Sequence, residues 1–296
     1  MDRTQTLACL TALTLAAAGC APKPALVVGS KNFTEQVLLA EILAQQIERR
    51  LHVPVGRKFN LGGTLLAHTA LTSGAIDLYP EYSGTALTAV LKLPPSKDPA
   101  AVMAQVREAY RRQWGLAWLR PLGFNNTFAM MVRGDIARRS GIRTLSEAAR
   151  LQAWKLGAGY EFKQRPDGLA GLLTAYGLRT DGAPVTMDLG LLYAALKSHK
   201  VDLIAANSTD GLAAVLDVVM LDDDRRYFPP YECAVVARED TLARLPGLRE
   251  AIEELSGKLS DAAMRKLNFG VDGEHRPPAQ VAARFLDLAS GPAGNP

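Results

Sequence analysis

From Leu26 onward the chain alternates short apolar runs with longer stretches in which apolar residues return every third or fourth position. Leu26–Val28 is apolar and β-prone, and the run breaks at Gly29. Beyond a polar turn, Leu39, Leu43, Ile47 and Leu51 recur at i+4, the spacing of one helix face. Thr34 stands where a hydroxyl caps the start of that helix. Val53–Phe59 reads as a second strand, Gly62-Gly63 opens a turn, and a helix follows around Leu65–Leu71. Ile76–Tyr79 reads as strand, Gly84–Leu91 as helix, Pro94-Pro95 as loop and Ala100–Gln113 as helix.

The rhythm then restarts. Phe128–Val132, Lys155–Ala158, Val201–Ala206 and Tyr231–Val236 are strand-like, and helical stretches are expected over Leu145–Ala149, Gly168–Tyr176, Leu189–Ser198 and Gly211–Val215. Gly177 is placed to end the second of these helices, and further helices run through Leu286. Alternating strand and helix argues for an α/β fold with a largely parallel sheet and helices on both faces. With 296 residues, the chain exceeds one ordinary core of about 100–200 residues, so one large or two ordinary domains are expected. Two α/β lobes with a cleft between them suit the pattern.

Composition narrows the class. Apolar residues make up 48% and charged residues 22%, the profile of a globular protein rather than a disordered or membrane-embedded one. The net charge is +4, and the basic residues come as scattered pairs such as Arg49-Arg50 and Arg138-Arg139, so no nucleic-acid stripe is formed. Leu7–Ala18 is a mostly apolar run after Arg3, followed by Gly19-Cys20. Twelve helical residues span about 18 Å, too short for a hydrocarbon core of about 30 Å. The run reads as a secretory signal. Small residues ahead of Cys20 resemble a bacterial lipobox, in which that cysteine is lipidated, although Ala17 stands where leucine is commoner. The competing reading is ordinary cleavage nearby, with Cys20 a bystander. Cys9 would leave with the signal and Cys20 would carry acyl chains, so only Cys233 would remain, and a lone thiol forms no internal disulfide. The protein is therefore expected on the periplasmic or extracytoplasmic face, anchored by lipid, as a monomer.

Two segments carry the functional signal. Val27-Val-Gly-Ser-Lys-Asn-Phe-Thr-Glu-Gln36 and Asp77-Leu-Tyr-Pro-Glu-Tyr-Ser-Gly-Thr-Ala-Leu87 both pass from strand to helix, where α/β folds gather small-molecule sites. Together with Arg165-Pro-Asp-Gly168 and Pro229-Pro-Tyr231, they closely resemble the substrate-binding proteins of osmoprotectant ABC importers, over about Val27 to Leu286. That family takes up glycine betaine, carnitine and choline. The resemblance implies the type II periplasmic binding-protein fold, in which the chain crosses between lobes twice. The crossings are expected near Phe124–Asn126 and Phe228–Tyr231. The implied layout is a signal over 1–19, a tether over 20–25, lobe one over 26–124, lobe two over 125–230, a return to lobe one over 231–290 and a tail over 291–296. An ABC permease with its ATPase would be the partner.

A quaternary ammonium has no N–H, so hydrogen bonds cannot select it, whereas aromatic faces attract it by about 0.5–2 kcal/mol each. The resemblance implies a cage from Tyr82, Phe128 and Tyr231, polar contacts from Lys31 and Thr85, and ligand contacts from Asn125 and Asn126. It assigns Arg165 to a ligand carboxylate, which suits the two-pronged guanidinium, with the helix start at Asp167-Gly168 adding its dipole. Tyr79 reads as a core residue and Asp210 as a helix cap. Two departures stand out. Asn207 occupies a position where the family commonly has an aromatic residue, and Phe128 replaces a frequent tyrosine. Either the site holds bare trimethylammonium more weakly, or Asn207 hydrogen-bonds a larger, more polar ligand such as ergothioneine.

Chemistry finds no foothold in the motifs. His52, His68, His199 and His275 form no i, i+4 pair, and there is no Gly-x-Ser-x-Gly, phosphate loop or Cys-x-x-Cys. No enzyme, cofactor or metal is expected. A ligand-sensing transcriptional regulator would need a DNA-binding segment where the signal lies. A surface lipoprotein with a degenerate cleft, acting by protein contact, is the other alternative.

Overall fold

The computed structural model describes residues 24–290. The expected signal, Cys20 and the expected tail over 291–296 lie outside the described residues. Ten strands form among them: β1 (Leu26–Gly29), β2 (Val55–Lys58), β3 (Leu78–Tyr82), β4 (Leu116–Trp118), β5 (Phe128–Arg133), β6 (Leu156–Ala158), β7 (Val185–Thr186), β8 (Leu203–Asn207), β9 (Val218–Met220) and β10 (Cys233–Arg238). They build two five-stranded sheets, ordered β2-β1-β3-β10-β4 and β7-β6-β8-β5-β9.

Neither sheet is wholly parallel. β1 pairs parallel with β2 and β3, but β10 runs antiparallel to both β3 and β4. In the second sheet β6 pairs parallel with β7 and β8, while β5 is antiparallel to β8 and β9. The cause is the route of the chain. β5 and β10 each follow a passage from one sheet to the other, so each begins at the edge where its neighbour ends. Phe128 thus lies opposite Asn207, and Cys233 opposite Tyr82.

The two passages hold each other. Asn126 N–H donates to the Tyr231 carbonyl at 3.1 Å, Cys233 N–H to Phe124 at 3.2 Å and Leu122 N–H to Cys233 at 2.8 Å. Asn125 and Glu232 form a bridge pair. A two-stranded ribbon therefore joins the lobes, its backbone groups paired with each other.

Helix Thr34–Leu51 buries Leu38, Leu39, Ile42, Leu43 and Ile47, as its i+4 spacing requires. Its outer side is covered by helix Pro278–Ser290 through buried Val281, Ala282 and Leu286, which brings the last helix among the described residues back to the first lobe. The helix does not use Thr34 as its cap. Phe33 holds that position with no side-chain cap, and the Thr34 hydroxyl donates instead to Asp272 at 2.6 Å. In the second lobe Trp154, Leu156, Phe162 and Leu172 are buried, and helix Leu169–Tyr176 ends at Gly177 with φ 65, as its sequence indicated. Among the described residues no helix is long and apolar enough to cross a membrane.

Candidate functional site

Between the two sheets lies a cleft of about 540 Å³ lined from both lobes and from the ribbon. The strand ends that meet there explain its content. β3 finishes at Tyr82, β5 starts at Phe128, β8 finishes at Asn207, and the second crossing carries Tyr231 just ahead of β10. Tyr79, Glu81 and Tyr82 belong to β3 itself rather than to a turn, and all three are buried. Tyr79 is a core residue whose hydroxyl donates to Glu81 at 3.0 Å.

Lys31 is buried, with Nζ 2.5 Å from Glu81 Oε1 and 3.0 Å from Thr64 Oγ1, and it stands 5.2 Å from the Tyr82 ring centre. Tyr82 donates its hydroxyl to Glu35 at 2.7 Å and stacks on Phe33 at 6.3 Å. Phe128 meets the edge of Tyr231 at 5.7 Å and of Phe162 at 4.8 Å. Gly84 makes this packing possible, because a Cβ there would come within 2.8 Å of the Tyr231 ring.

Arg165 is the hub. Its Nε and Nη2 reach both oxygens of Asp167 at 2.9 and 2.6 Å, and Nη1 donates to Thr85 at 2.9 Å on the opposite lobe. Its guanidinium lies 5.0 Å from the Phe128 ring centre and 5.6 Å from that of Tyr231. The two-pronged face is thus given to Asp167 and not left open for a ligand. Burial alone would raise the Asp167 carboxyl, but Arg165 outweighs it and holds the group below the usual carboxylate range. Tyr231 also donates to Asp167 at 2.6 Å, and burial pushes its phenol well up.

Of the residues singled out from the sequence, Lys31, Tyr82, Thr85, Asn126, Phe128, Arg165, Asn207 and Tyr231 line this cleft together. Asn125 does not line it. Its side-chain oxygen accepts from Tyr231 N–H at 2.6 Å, and its own N–H donates to Asp261 at 2.9 Å, so it clasps the hinge. Asp210 holds the N-cap position of the short helix Gly211–Ala214, as expected, but without capping it through its side chain. It faces the cleft beside Asn207.

Four carboxylates were not legible as site residues. Glu35 is buried and accepts from Tyr82, from Asn126 at 2.8 Å, from Thr209 at 2.5 Å and from Asn268 at 2.9 Å. Burial raises its carboxyl despite these four donors. Burial also raises Asp272, and pushes Asp210 up to about 6. Glu35 precedes Leu38 and Leu39 by three and four residues, so the helix period already placed it on the buried face. Glu161 bridges the lobes from the other side, accepting from Thr64 N–H at 2.5 Å and Thr64 Oγ1 at 3.0 Å. Nothing in its surroundings along the chain marked it.

The cleft's two cations, Lys31 and Arg165, are each paired with a carboxylate, whereas Glu35 and Asp210 are met only by neutral donors. Such a pocket favours a ligand that brings positive charge. Among the described residues no group of three or more His, Cys, Asp or Glu is placed to hold a metal ion.

The family model described as the substrate-binding domain of an ABC-type glycine betaine transport system matches residues 24–288. A glycine-betaine-binding protein of Pseudomonas aeruginosa is 36% identical, over 97% of this chain and 94% of its own. An ergothioneine transport permease/ergothioneine binding protein of Helicobacter pylori is 34% identical over 88% of this chain, which spans only about half (47%) of that relative's length. The crystal structure of a glycine betaine/carnitine/choline ABC transporter protein superposes with a TM-score of 0.75 at 32% identity, over 89% of this chain and 98% of that one. With its two sheets, paired crossings and interlobe cleft, the chain belongs to the family of substrate-binding domains of ABC-type glycine betaine transport systems.

Proposed function

We propose that the protein is the extracytoplasmic receptor of an ABC importer, anchored through Cys20, that closes its lobes on a betaine-type solute and presents it to a membrane permease. The observation that carries this reading is the convergence on one cleft of Tyr82, Phe128 and Tyr231 with Lys31, Thr85 and Arg165, drawn from both lobes and the hinge. Binding energy released in such a cleft biases a hinged equilibrium toward the closed form. A permease able to recognise that form would distinguish loaded from empty receptor.

The residues divide the work. Lys31, Thr85 and the Nη1 side of Arg165 offer donors to the anionic end of a zwitterion. The rings supply apolar surface and π faces to the cationic end. Protein cations already stand near these rings, so part of the pull on a ligand cation comes from Glu35 and Asp210 in the same cleft. The replacement of an aromatic wall by Asn207 favours, as a second reading, a more polar relative of the betaines such as ergothioneine.

Thermal unfolding tests both readings. Protein freed of carried-over solute by unfolding and refolding is heated with glycine betaine, proline betaine, carnitine, choline or ergothioneine. A ligand at a hundred times its dissociation constant stabilises the folded state by about 2.7 kcal/mol. At least one member is expected to raise the melting temperature, and which one decides between the readings. A flat response across the panel would contradict the receptor role and favour a protein-contact lipoprotein.

A further inference from the structure

Asn207 stands where an aromatic wall was expected, yet its amide does not simply face the ligand. Its backbone N–H donates to Asp210 Oδ2 at 3.1 Å and its Nδ2 to Asp210 Oδ1 at 3.2 Å. Tyr193 also donates its hydroxyl to Oδ2 at 3.1 Å. A carboxylate can only accept, so the Asn207 amide nitrogen is fixed toward Asp210 and its oxygen is turned away. Three neutral donors hold one carboxylate in a set orientation at the cleft surface, and among the described residues no salt bridge involves Asp210. A carboxylate has about four lone-pair sites. Three are used here, and the one left belongs to Oδ1 on a half-buried residue that lines the cleft.

We propose that Asp210, positioned by Asn207 and Tyr193, is a specificity-determining residue that makes the cleft prefer a cation carrying an N–H over a fully methylated one. The inference rests on the reading of the cleft as a betaine-type receptor site and names the ligand class within it. Losing an N–H's hydration is unfavourable unless an acceptor replaces the water. An all-aromatic cage has no acceptor, so it favours the quaternary ion. Here the wall that a ring would fill ends in a carboxylate, and an ammonium N–H can make a short charge-assisted bond to it, about twice as strong as a neutral one. A trimethylammonium makes no such bond, and its methyl shell keeps the charge farther away, where attraction is weaker. It also loses the π contact of the missing ring.

Calorimetric titration of the purified protein with N,N-dimethylglycine and glycine betaine, which differ by one N–H in place of one N–CH₃, tests this directly. Dimethylglycine is expected to bind about tenfold more tightly, the effect of one charge-assisted hydrogen bond. Asp210→Asn is expected to remove most of that preference, and Tyr193→Phe to reduce it by loosening the carboxylate. Equal affinities, or tighter binding of glycine betaine, would overturn the proposal, as would an Asp210→Asn protein that weakens both ligands alike and keeps their ratio. If Asp210→Asn does not fold, the wild-type pair still decides whether an N–H is preferred, and Tyr193→Phe decides whether Asp210 is the cause. Binding of neither ligand, nor of any betaine, would remove the receptor reading and this inference with it.

Discussion

Replacing Arg165 with alanine is expected to lower the unfolding free energy by about 3–5 kcal/mol and to weaken ligand binding more than about a hundredfold. Both effects have one origin. Arg165 and Asp167 are buried partners at 2.6 and 2.9 Å, and removing the cation strands a carboxylate out of water. Tyr231 and Thr88 still donate to Asp167, at 2.6 and 3.0 Å, which keeps the loss finite. The binding loss comes from the other end of the guanidinium. Thr85 lies on the opposite lobe, so its 2.9 Å bond to Nη1 belongs to the joined arrangement, and the guanidinium's contacts with the Phe128 and Tyr231 rings at 5.0 and 5.6 Å are lost with it. Arg165→Lys is not expected to restore either, since an ammonium cannot bind both Asp167 oxygens while reaching Thr85. Urea unfolding and titration of both variants check this. A stability change under 1 kcal/mol would show that the pair contributes far less than its geometry implies.

Glu161→Ala is expected to weaken binding by about five- to thirtyfold, mainly through faster release, with little change in the melting point of the ligand-free protein. Helix Thr64–Thr72 begins at Gly63, which has no side chain to cap it. The missing cap comes from the other lobe, where Glu161 takes the Thr64 N–H and hydroxyl. A cap contributes about 0.5–2 kcal/mol, and a negative charge at a helix start adds to it. Since the contact joins the lobes, it stabilises the joined arrangement and slows opening. Gly63→Ala tests the same contact without touching the carboxylate, for a Cβ at Gly63 would stand 2.5 Å from Glu161 Oε1. Stopped-flow release from both variants is the measurement. Unchanged release together with a lower melting point would assign Glu161 to the fold alone.

Much of this architecture was visible in the chain because the signals were local. The apolar runs that became β1, β5 and β8 and the i+4 stripe of helix Thr34–Leu51 need no distant partner to be recognised. The strands β4, β7 and β9 were missed because each has only two or three residues, too few to show a period, and exists through pairing. The antiparallel insertion of β5 and β10 follows from the path between lobes, which no window of residues reports. In the site, aromatic and basic residues within longer motifs reached the cleft as expected. The partners of Arg165 and Asp210 were not legible, because a side chain's partner is set by folding. Arg165 gave its two-pronged face to Asp167, and Asp210, four residues past a predicted strand end, turned toward Asn207 rather than toward its own helix.

The central claim is that the interlobe cleft holds a betaine-type solute, and titration calorimetry of the wild-type protein beside Tyr231→Ala tests it most directly. The expected result is saturable one-to-one binding of at least one betaine by the wild type, weakened at least about tenfold when the ring at the hinge is removed. No heat from any betaine, or equal affinity in the two proteins, would contradict it.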